Sequence, residues 1–352
     1  MKTVLLTGAG GYIGTTLVPK LLHKGYKVIA VDRYFFGTEH LGQHEHLTIV
    51  REDCRKLTAA HFQGVNAVID LVAISNDPSG EMFKQATDQI NHLSRVNTAR
   101  LAKMAGVTRY LLPSSCSVYG FQETEMAVDE RSPLNPLTTY AKANGRAERD
   151  ILPMADGDFT AVVMRFATVY GYSPRMRFDL SINAMTYGAW ENRVIPLNRS
   201  GAQWRPLVHV SDVAEAICRL LEADQELVNG QIFNIGSSGG NFQLIQLAEA
   251  IQAALPGKVA IEWYGDPDFR SYRVDFSKLE QTLGWRAQFS VIDGVMEVFE
   301  ALCTNKLVKK EQTITLKWYE ELVKWHKIVK ECEMYGGIFD IQSVQSLVES
   351  RG

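Results

Sequence analysis

The chain has 352 residues, with 37 Lys+Arg against 40 Asp+Glu and a formal net charge of −3, so there is no global basic excess to favour a nucleic-acid backbone. With 46% hydrophobic and 22% charged residues, it has the composition of a globular protein of roughly two domains, long enough to bury a full core without staples. Five scattered cysteines with no C-x-x-C pair suggest neither a disulfide framework nor a zinc knuckle, and no apolar run reaches the roughly 18 residues of a membrane span. The expected setting is a reducing cytoplasm.

The segment from Met1 to Gly8 lacks a long apolar region and reads as a first strand rather than a secretory signal. Further β-rich runs follow at Lys27–Val31, Leu47–Val50, Ala67–Val72, Tyr110–Pro113 and Thr160–Arg165. Helical patterns lie between them, as at Leu17–His23 and Asn91–Ala105. Strands alternating with helices predict βαβ units and an α/β fold, and unbroken apolar runs fit a parallel sheet covered on both faces. Beyond residue 170 the pattern loosens into short helical stretches, Val213–Leu221, Leu244–Leu255 and Val291–Leu302, separated by loops with Pro, Gly and Arg. From Thr313 to Cys332 apolar residues recur at helical spacing, predicting a helix packed on the body or on a partner subunit.

Gly8, Gly11 and Gly14 form a G-x-x-G-x-x-G spacing between the first strand and the first helix. The first glycine permits a tight turn, the second lets backbone approach a pyrophosphate, and the third lets helix and strand pack closely, with the helix N-terminus adding partial positive charge. Asp32 ends the second strand, 18 residues after Gly14, where its carboxylate would accept bonds from adenosine ribose hydroxyls and so favour NAD. Arg33 beside it leaves NADP open, because it would face a 2′-phosphate. A Rossmann doubly wound parallel sheet is therefore expected over residues 1–170, with interleaved strands near 205–212 and 231–236. A smaller, mainly substrate-binding region is expected at 171–305 and a helical extension at 306–352.

Ser114-Ser115-Cys116-Ser117-Val118-Tyr119-Gly120 follows the fifth strand, and Tyr140-Ala141-Lys142-Ala143-Asn144 opens the next helix. Here the sequence resembles the extended short-chain dehydrogenases/reductases of the nucleotide-sugar-modifying branch, up to about Leu302. The resemblance implies hydride transfer to NAD. Tyr140 would take the proton from a sugar hydroxyl, and Ser115, 25 residues earlier, would orient that hydroxyl. It further implies cofactor contacts from Tyr12, Ile13, Asp53, Cys54, Leu71, Val72, Ala73, Asn91, Ser114 and Phe166. Substrate contacts are implied for Ser75, Cys116, Thr168, Arg177, Arg205 and Arg270, and a homodimer built on the helices around Asn91–Ala105 and Tyr140–Leu152.

One position departs from the family pattern. Relatives carry a Lys one helical turn after the Tyr, which binds the nicotinamide ribose and lowers the Tyr pKa; here that position is Asn144. Lys142 is no substitute, since two residues along a helix turn through about 200°. A phenol with an ordinary pKa near 10 is a poor base at pH 7. Three readings follow: the enzyme is slow, another cation serves, or the chain is an NAD-binding sensor or assembly partner without catalysis.

The residues after Ser115 narrow the reaction. Related dehydratases place Asp-Glu there and related sugar-acid decarboxylases place Glu two residues before Tyr119, whereas this chain has Cys116 and Ser117. The expected reaction is therefore 4-epimerisation or dehydrogenation of a nucleotide-diphosphate sugar. Arg165 to Arg177 looks more like the GDP-heptose dehydrogenase group than like UDP-galactose 4-epimerase, which has Asn where Thr168 stands. Arg205 and Arg270 are the candidates to grip a diphosphate, because guanidinium offers paired donors to phosphate oxygens; the usual epimerase position of the second Arg is here Gly265. Arg175 and Arg177 are equally compatible with structural salt bridges. His44-Glu45-His46 has no third ligand in view and reads as a solvated loop, not a metal site. His209, inside an apolar run, reads as core.

Overall fold

Apolar runs, buried on both faces in the inner strands and largely exposed in the edge strand β3, make seven parallel strands here: β1 (Thr3–Thr7), β2 (Lys27–Asp32), β3 (Leu47–Arg51), β4 (Ala67–Asp70), β5 (Arg109–Ser115), β6 (Thr160–Phe166) and, later in the chain, Gln231–Ile235. The computed structural model describes residues 1–121, 126–266 and 270–332. Residues 267–269 of the expected diphosphate segment and 333–352 of the expected extension lie outside the described residues.

Three further strands precede the seventh: β7 (Thr168–Tyr170), β8 (Val194–Asn198) and β9 (Trp204–His209). Gln231–Ile235 is thus β10, and β11 (Asn241–Gln243) and β12 (Ala260–Tyr264) follow it. The central order is β10-β6-β5-β4-β1-β2-β3. The order of winding reverses between β1 and β4, which run parallel, and ligands of such sheets bind outside the carboxyl ends of the strands at that switch. Gly8, Asp32, Leu71, Ser115 and Phe166 all lie at or just beyond carboxyl ends. Val4, Leu6, Ile69 and Leu111 are fully buried in one core layer, and Leu5, Val68, Tyr110 and Val163 in the opposite one.

The strand expected near 205–212 forms, but not in the central sheet. The edge beside β6 is taken by β10, in register from Gln231 against Val162 to Ile235 against Phe166. β9 instead pairs with β7 in parallel and β11 antiparallel, in a separate three-stranded sheet. Ser211 and Asp212 are helical, because His209 caps the helix Val210–Glu222: its Nδ1 accepts from the Ser211 N–H at 3.2 Å. β8 and β12 make a third, two-stranded sheet.

The chain divides into two compact units, Met1–Val308 and Lys309–Gly352. The second contains the helix Thr315–Cys332, on which Val323, Trp325, Ile328 and Val329 are exposed. Among the described residues no helix is long and apolar enough to cross a membrane.

Candidate active site

The glycine turn is built by close backbone approach. Gly8 has φ +69°, and a Cβ there would stand 2.7 Å from the Val72 nitrogen; a Cβ on Gly14 would stand 2.4 Å from the Gly8 carbonyl oxygen. Only glycine fits both places. The Gly11 N–H closes the turn on the Gly8 carbonyl at 3.1 Å, and the helix Gly14–His23 starts directly behind it. Asp32 holds the loop to β2: its Oδ2 accepts from the Gly10 N–H at 3.0 Å and its Oδ1 from the Tyr34 N–H at 2.8 Å. Burial raises the Asp32 pKa, against those two bonds. Each oxygen keeps a lone pair for a ribose hydroxyl, so turn and carboxylate together fit NAD.

Arg33 is engaged by neighbouring side chains. It sits 3.5 Å from Asp53 and over the Phe35 ring at 4.5 Å. Asp53 caps a short turn, and the Arg55 guanidinium on its carboxylate lowers its pKa to about 2. Cys54 is buried and accepts from the Ser94 hydroxyl at 3.3 Å; burial pushes its thiol up to about 11.

The loop after β4, carrying Leu71, Val72, Ala73 and Ser75, is pinned from beneath. Asn91 is fully buried, and its amide both accepts from the Ile74 N–H at 2.8 Å and donates to the Ile74 carbonyl at 2.9 Å. Asn91 therefore shapes that loop rather than presenting a free amide to a cofactor. Tyr12 likewise turns its side chain inward, donating to the Gly171 carbonyl at 2.5 Å and accepting from Asn183 at 3.2 Å. Ile13 stands at the start of the first helix.

Ser115 and Tyr140, 25 residues apart in sequence, come together. Ser115 is the last residue of β5 and Tyr140 lies in the first turn of the helix Thr139–Ile151. Thr138 caps that helix, accepting from the Ala141 N–H at 3.2 Å while donating to Asp77 at 2.5 Å. Gly80 makes room beside Tyr140, since a Cβ there would lie 3.2 Å from the Tyr140 Cβ. The phenol is buried, which raises its pKa; Arg95 pulls it down, Asp77 pushes it up, and hydrogen bonds from Ser115 and Asn144 pull it down.

Asn144 is buried, with its Nδ2 donating to the Tyr140 carbonyl at 3.1 Å and its Oδ1 accepting from Arg95 at 2.9 Å. Arg95, itself 2% exposed, also donates to the carbonyls of Pro113 at 3.0 Å and of Val72 at 3.0 and 2.8 Å. Sequence reasoning missed this residue. A signal was present: Arg95, Thr98, Ala99 and Ala102 fall at i, i+3, i+4 and i+7 and all are buried. The predicted helix over Asn91–Ala105 is also not uniform, because Gln89–Ser94 is a π-helical turn and α-helix starts at Arg95.

Two expected ligand contacts are corrected. Ser114 faces away from Ser115, as successive strand residues must, and donates to Glu148, which forms a buried pair with Arg165 at 2.6 Å. Cys116 is 1% exposed and its thiol donates to the Arg165 carbonyl at 3.3 Å; burial raises its pKa, so it is a packing residue without access to a sugar.

On the substrate side, Arg177 donates to Ser75 at 3.1 Å and pairs with Asp179 at 2.8 Å, while Asn76 donates to Asp179 at 2.8 Å. Arg175 lies 3.6 Å over the Phe36 ring. Arg270 pairs with Asp77, Arg205 donates to the Arg270 carbonyl, and Arg205 also lies over Tyr272. Arg270 is thus joined through Asp77 to Thr138, the cap of the Tyr140 helix, and Arg205 is joined to Arg270. Phe166 and Thr168 flank the end of β6, Phe166 in register with Ser115. His209 is fully buried, bonded to Glu297 at 2.9 Å and stacked on Phe289, as its apolar run predicts. His44 is exposed and accepts from the His46 N–H.

A seven-stranded parallel sheet with a glycine turn, a ribose-side carboxylate and a Ser/Tyr pair at its carboxyl edge defines an NAD-dependent enzyme of the extended short-chain dehydrogenase/reductase type. The chain belongs to the NAD dependent epimerase/dehydratase family, whose model matches residues 4–236. It is 28% identical over 307 residues to UDP-glucuronic acid decarboxylase 6 of Arabidopsis thaliana, covering 83% of this chain and 86% of the relative. Among solved structures it is similar to MoeE5 in complex with UDP-glucuronic acid and NAD, at 26% identity and a TM-score of 0.76 over 86% of this chain and 99% of that one. DesIV, a dTDP-glucose 4,6-dehydratase from Streptomyces venezuelae, shares the fold at 24% identity and a TM-score of 0.78, over 86% and 98% of the two chains.

Proposed function

We propose that this protein oxidises a sugar hydroxyl of a nucleotide-diphosphate sugar, as a 4-epimerase or a dehydrogenase, with Tyr140 as acid/base. The observation that carries the reading is the convergence of Ser115, at the carboxyl end of β5, with Asn144 and Arg95 around the buried Tyr140 phenol, whose proton affinity all three lower. NAD, when bound, would supply the hydride acceptor. Gly8, Gly11 and Gly14 would let the backbone approach its pyrophosphate, and Asp32 would accept from its adenosine ribose hydroxyls. Ser115 hydrogen-bonds the reacting hydroxyl, and the Tyr140 phenolate removes its proton as hydride leaves the same carbon. Arg177, Arg205 and Arg270 are the cations for the diphosphate. A homodimer belongs to this reading, supported by exposed Leu93, in the turn before the helix Arg95–Met104, and exposed Met104 at its end.

Absorbance near 340 nm tests it: purified protein with NAD and a panel of sugar nucleotides should show a sugar-dependent rise that Tyr140→Phe lowers by about 10²- to 10⁴-fold. Cofactor binding without any such signal, and without epimerised product, would favour the non-catalytic reading.

The relatives bring a second substrate to that panel. UDP-glucuronic acid oxidised at C4 is a β-keto acid. Its bond to the carboxylate breaks with release of CO2 as the electron pair moves into the ketone, and the resulting enolate takes up a proton. Position 117 offers Ser rather than the Glu of decarboxylases, so similarity to the decarboxylases is the only support for this branch.

A further inference from the structure

We propose that Arg95, bonded to Oδ1 of Asn144, supplies from a neighbouring helix the positive charge that related enzymes place one turn after the tyrosine as lysine. This inference rests on reading Tyr140 as the base, and it answers how that base works without the lysine.

Three observations carry it. Arg95 is 2% exposed, and among the described residues its hydrogen bonds all go to neutral oxygens: the carbonyls of Val72 and Pro113 and the amide of Asn144. A buried cation is costly unless its charge is used or neutralised, and a guanidinium is not deprotonated in proteins. Its field is therefore unscreened by a paired carboxylate and falls on the adjacent phenol. Second, the contact is a relay with a direction. Arg95 donates to the amide oxygen of Asn144, and the amide nitrogen of the same group donates to the backbone carbonyl of Tyr140 at 3.1 Å, which fixes this side chain beside the phenol whose proton affinity it lowers. A bond from a charged donor polarises that amide and strengthens the donation at its far end.

Third, the geometry explains why the residue one turn after Tyr140 is not lysine. Asn144 is 1% exposed and in direct contact with the guanidinium. An ammonium at that position would lie against a buried cation, with both charges out of water, so the two sites hold one positive charge between them. The charged groups facing the phenol are Arg95 and Asp77, and Asp77 is already paired with Arg270. Arg95 is thus a positioning residue that sets the proton affinity of Tyr140 through Asn144.

The test reads Tyr140 directly and needs no sugar. The full chain with NAD added is labelled with [13Cζ]tyrosine, and the Tyr140 signal is assigned by its loss in Tyr140→Phe. Its titration is then followed with pH. Arg95→Met should move the midpoint up by about one to two units, Arg95→Lys by less, and Arg95→Met/Asn144→Lys should bring it back towards wild type. Asn144→Lys alone, which crowds two cations, should lower NAD affinity or thermal stability. A folded Arg95→Met protein with an unchanged midpoint overturns the proposal, as does a wild-type Tyr140 that does not titrate below pH 11. If Arg95→Met does not fold, the double variant decides: a wild-type midpoint supports the relocated charge, and a raised midpoint or failure to fold overturns it. Failure of the sugar panel leaves this titration untouched, so the two failures are distinguishable.

Discussion

Gly8 and Val72 lie so close that a single methyl group on the glycine would stand 2.7 Å from the Val72 nitrogen and 2.8 Å from the Leu71 carbonyl carbon. The turn after β1 is thereby seated on the loop after β4, across the point where the sheet reverses its winding. Gly8→Ala combines this clash against backbone with a φ of +69°, and the left-handed conformation alone costs a non-glycine residue about 1–2 kcal/mol. The variant should unfold at lower urea concentration and bind NAD at least about tenfold more weakly. Urea titration and isothermal titration calorimetry read the two effects separately.

Asp32 faces the ribose position with a carboxylate held by two backbone N–H groups, while Arg33 is drawn off to Asp53. A negative charge there rejects a 2′-phosphate. Asp32→Ala should weaken NAD binding and improve NADP relative to NAD by about tenfold or more, measured as the ratio of the two dissociation constants. An unchanged ratio would mean that the carboxylate does not set cofactor choice.

Glu148 and Arg165 form a pair whose side chains are 4% and 3% exposed, beneath Ser114 and beside Tyr119. Removing one partner leaves an unpaired charge in the core. Arg165→Met should cost about 3–5 kcal/mol, and Arg165→Met/Glu148→Leu should recover much of it. Chemical denaturation of the single and double variants measures the difference.

Asp53 holds its pKa at about 2 under the Arg55 guanidinium, below the ordinary 3.8. A depressed carboxylate favours the folded state in its charged form, so this contribution is complete above the unfolded value of 3.8 and is lost as pH falls from there towards about 2. Asp53→Asn should therefore flatten the fall in stability across that window and leave the pH dependence near neutrality unchanged. Urea midpoints at pH 2.5, 3.5, 5 and 7 provide the comparison, on the order of one point per phase of the titration.

Much of the cofactor side was legible because it depends on local spacing. Gly8, Gly11, Gly14 and Asp32 belong to one strand–turn–helix–strand unit, and each requirement falls on a residue whose role follows from where its strand ends. Ser115 and Tyr140 were reachable by resemblance, since a motif names them together. Ser114 and Cys116 were misplaced because a motif names neighbours as a group, while strand alternation sends Ser114 to the opposite side and the turn after β5 buries Cys116.

Arg95 was not legible as a partner of Asn144. Its contacts reach residues 18, 23 and 49 positions away, and the π-helical turn before it changes the phase of the helix on which it sits. The placement of β9 in a second sheet was hidden for a related reason: an apolar run declares a strand but not which edge will accept it.

Length, composition and the glycine spacing by themselves determined an α/β chain with a dinucleotide turn, because strand burial and tight turns are properties of short segments. Which cation faces Tyr140 was decided only by the tertiary structure. The field at a buried phenol sums over every charge packed around it, and packing brings Arg95 there from a different helix.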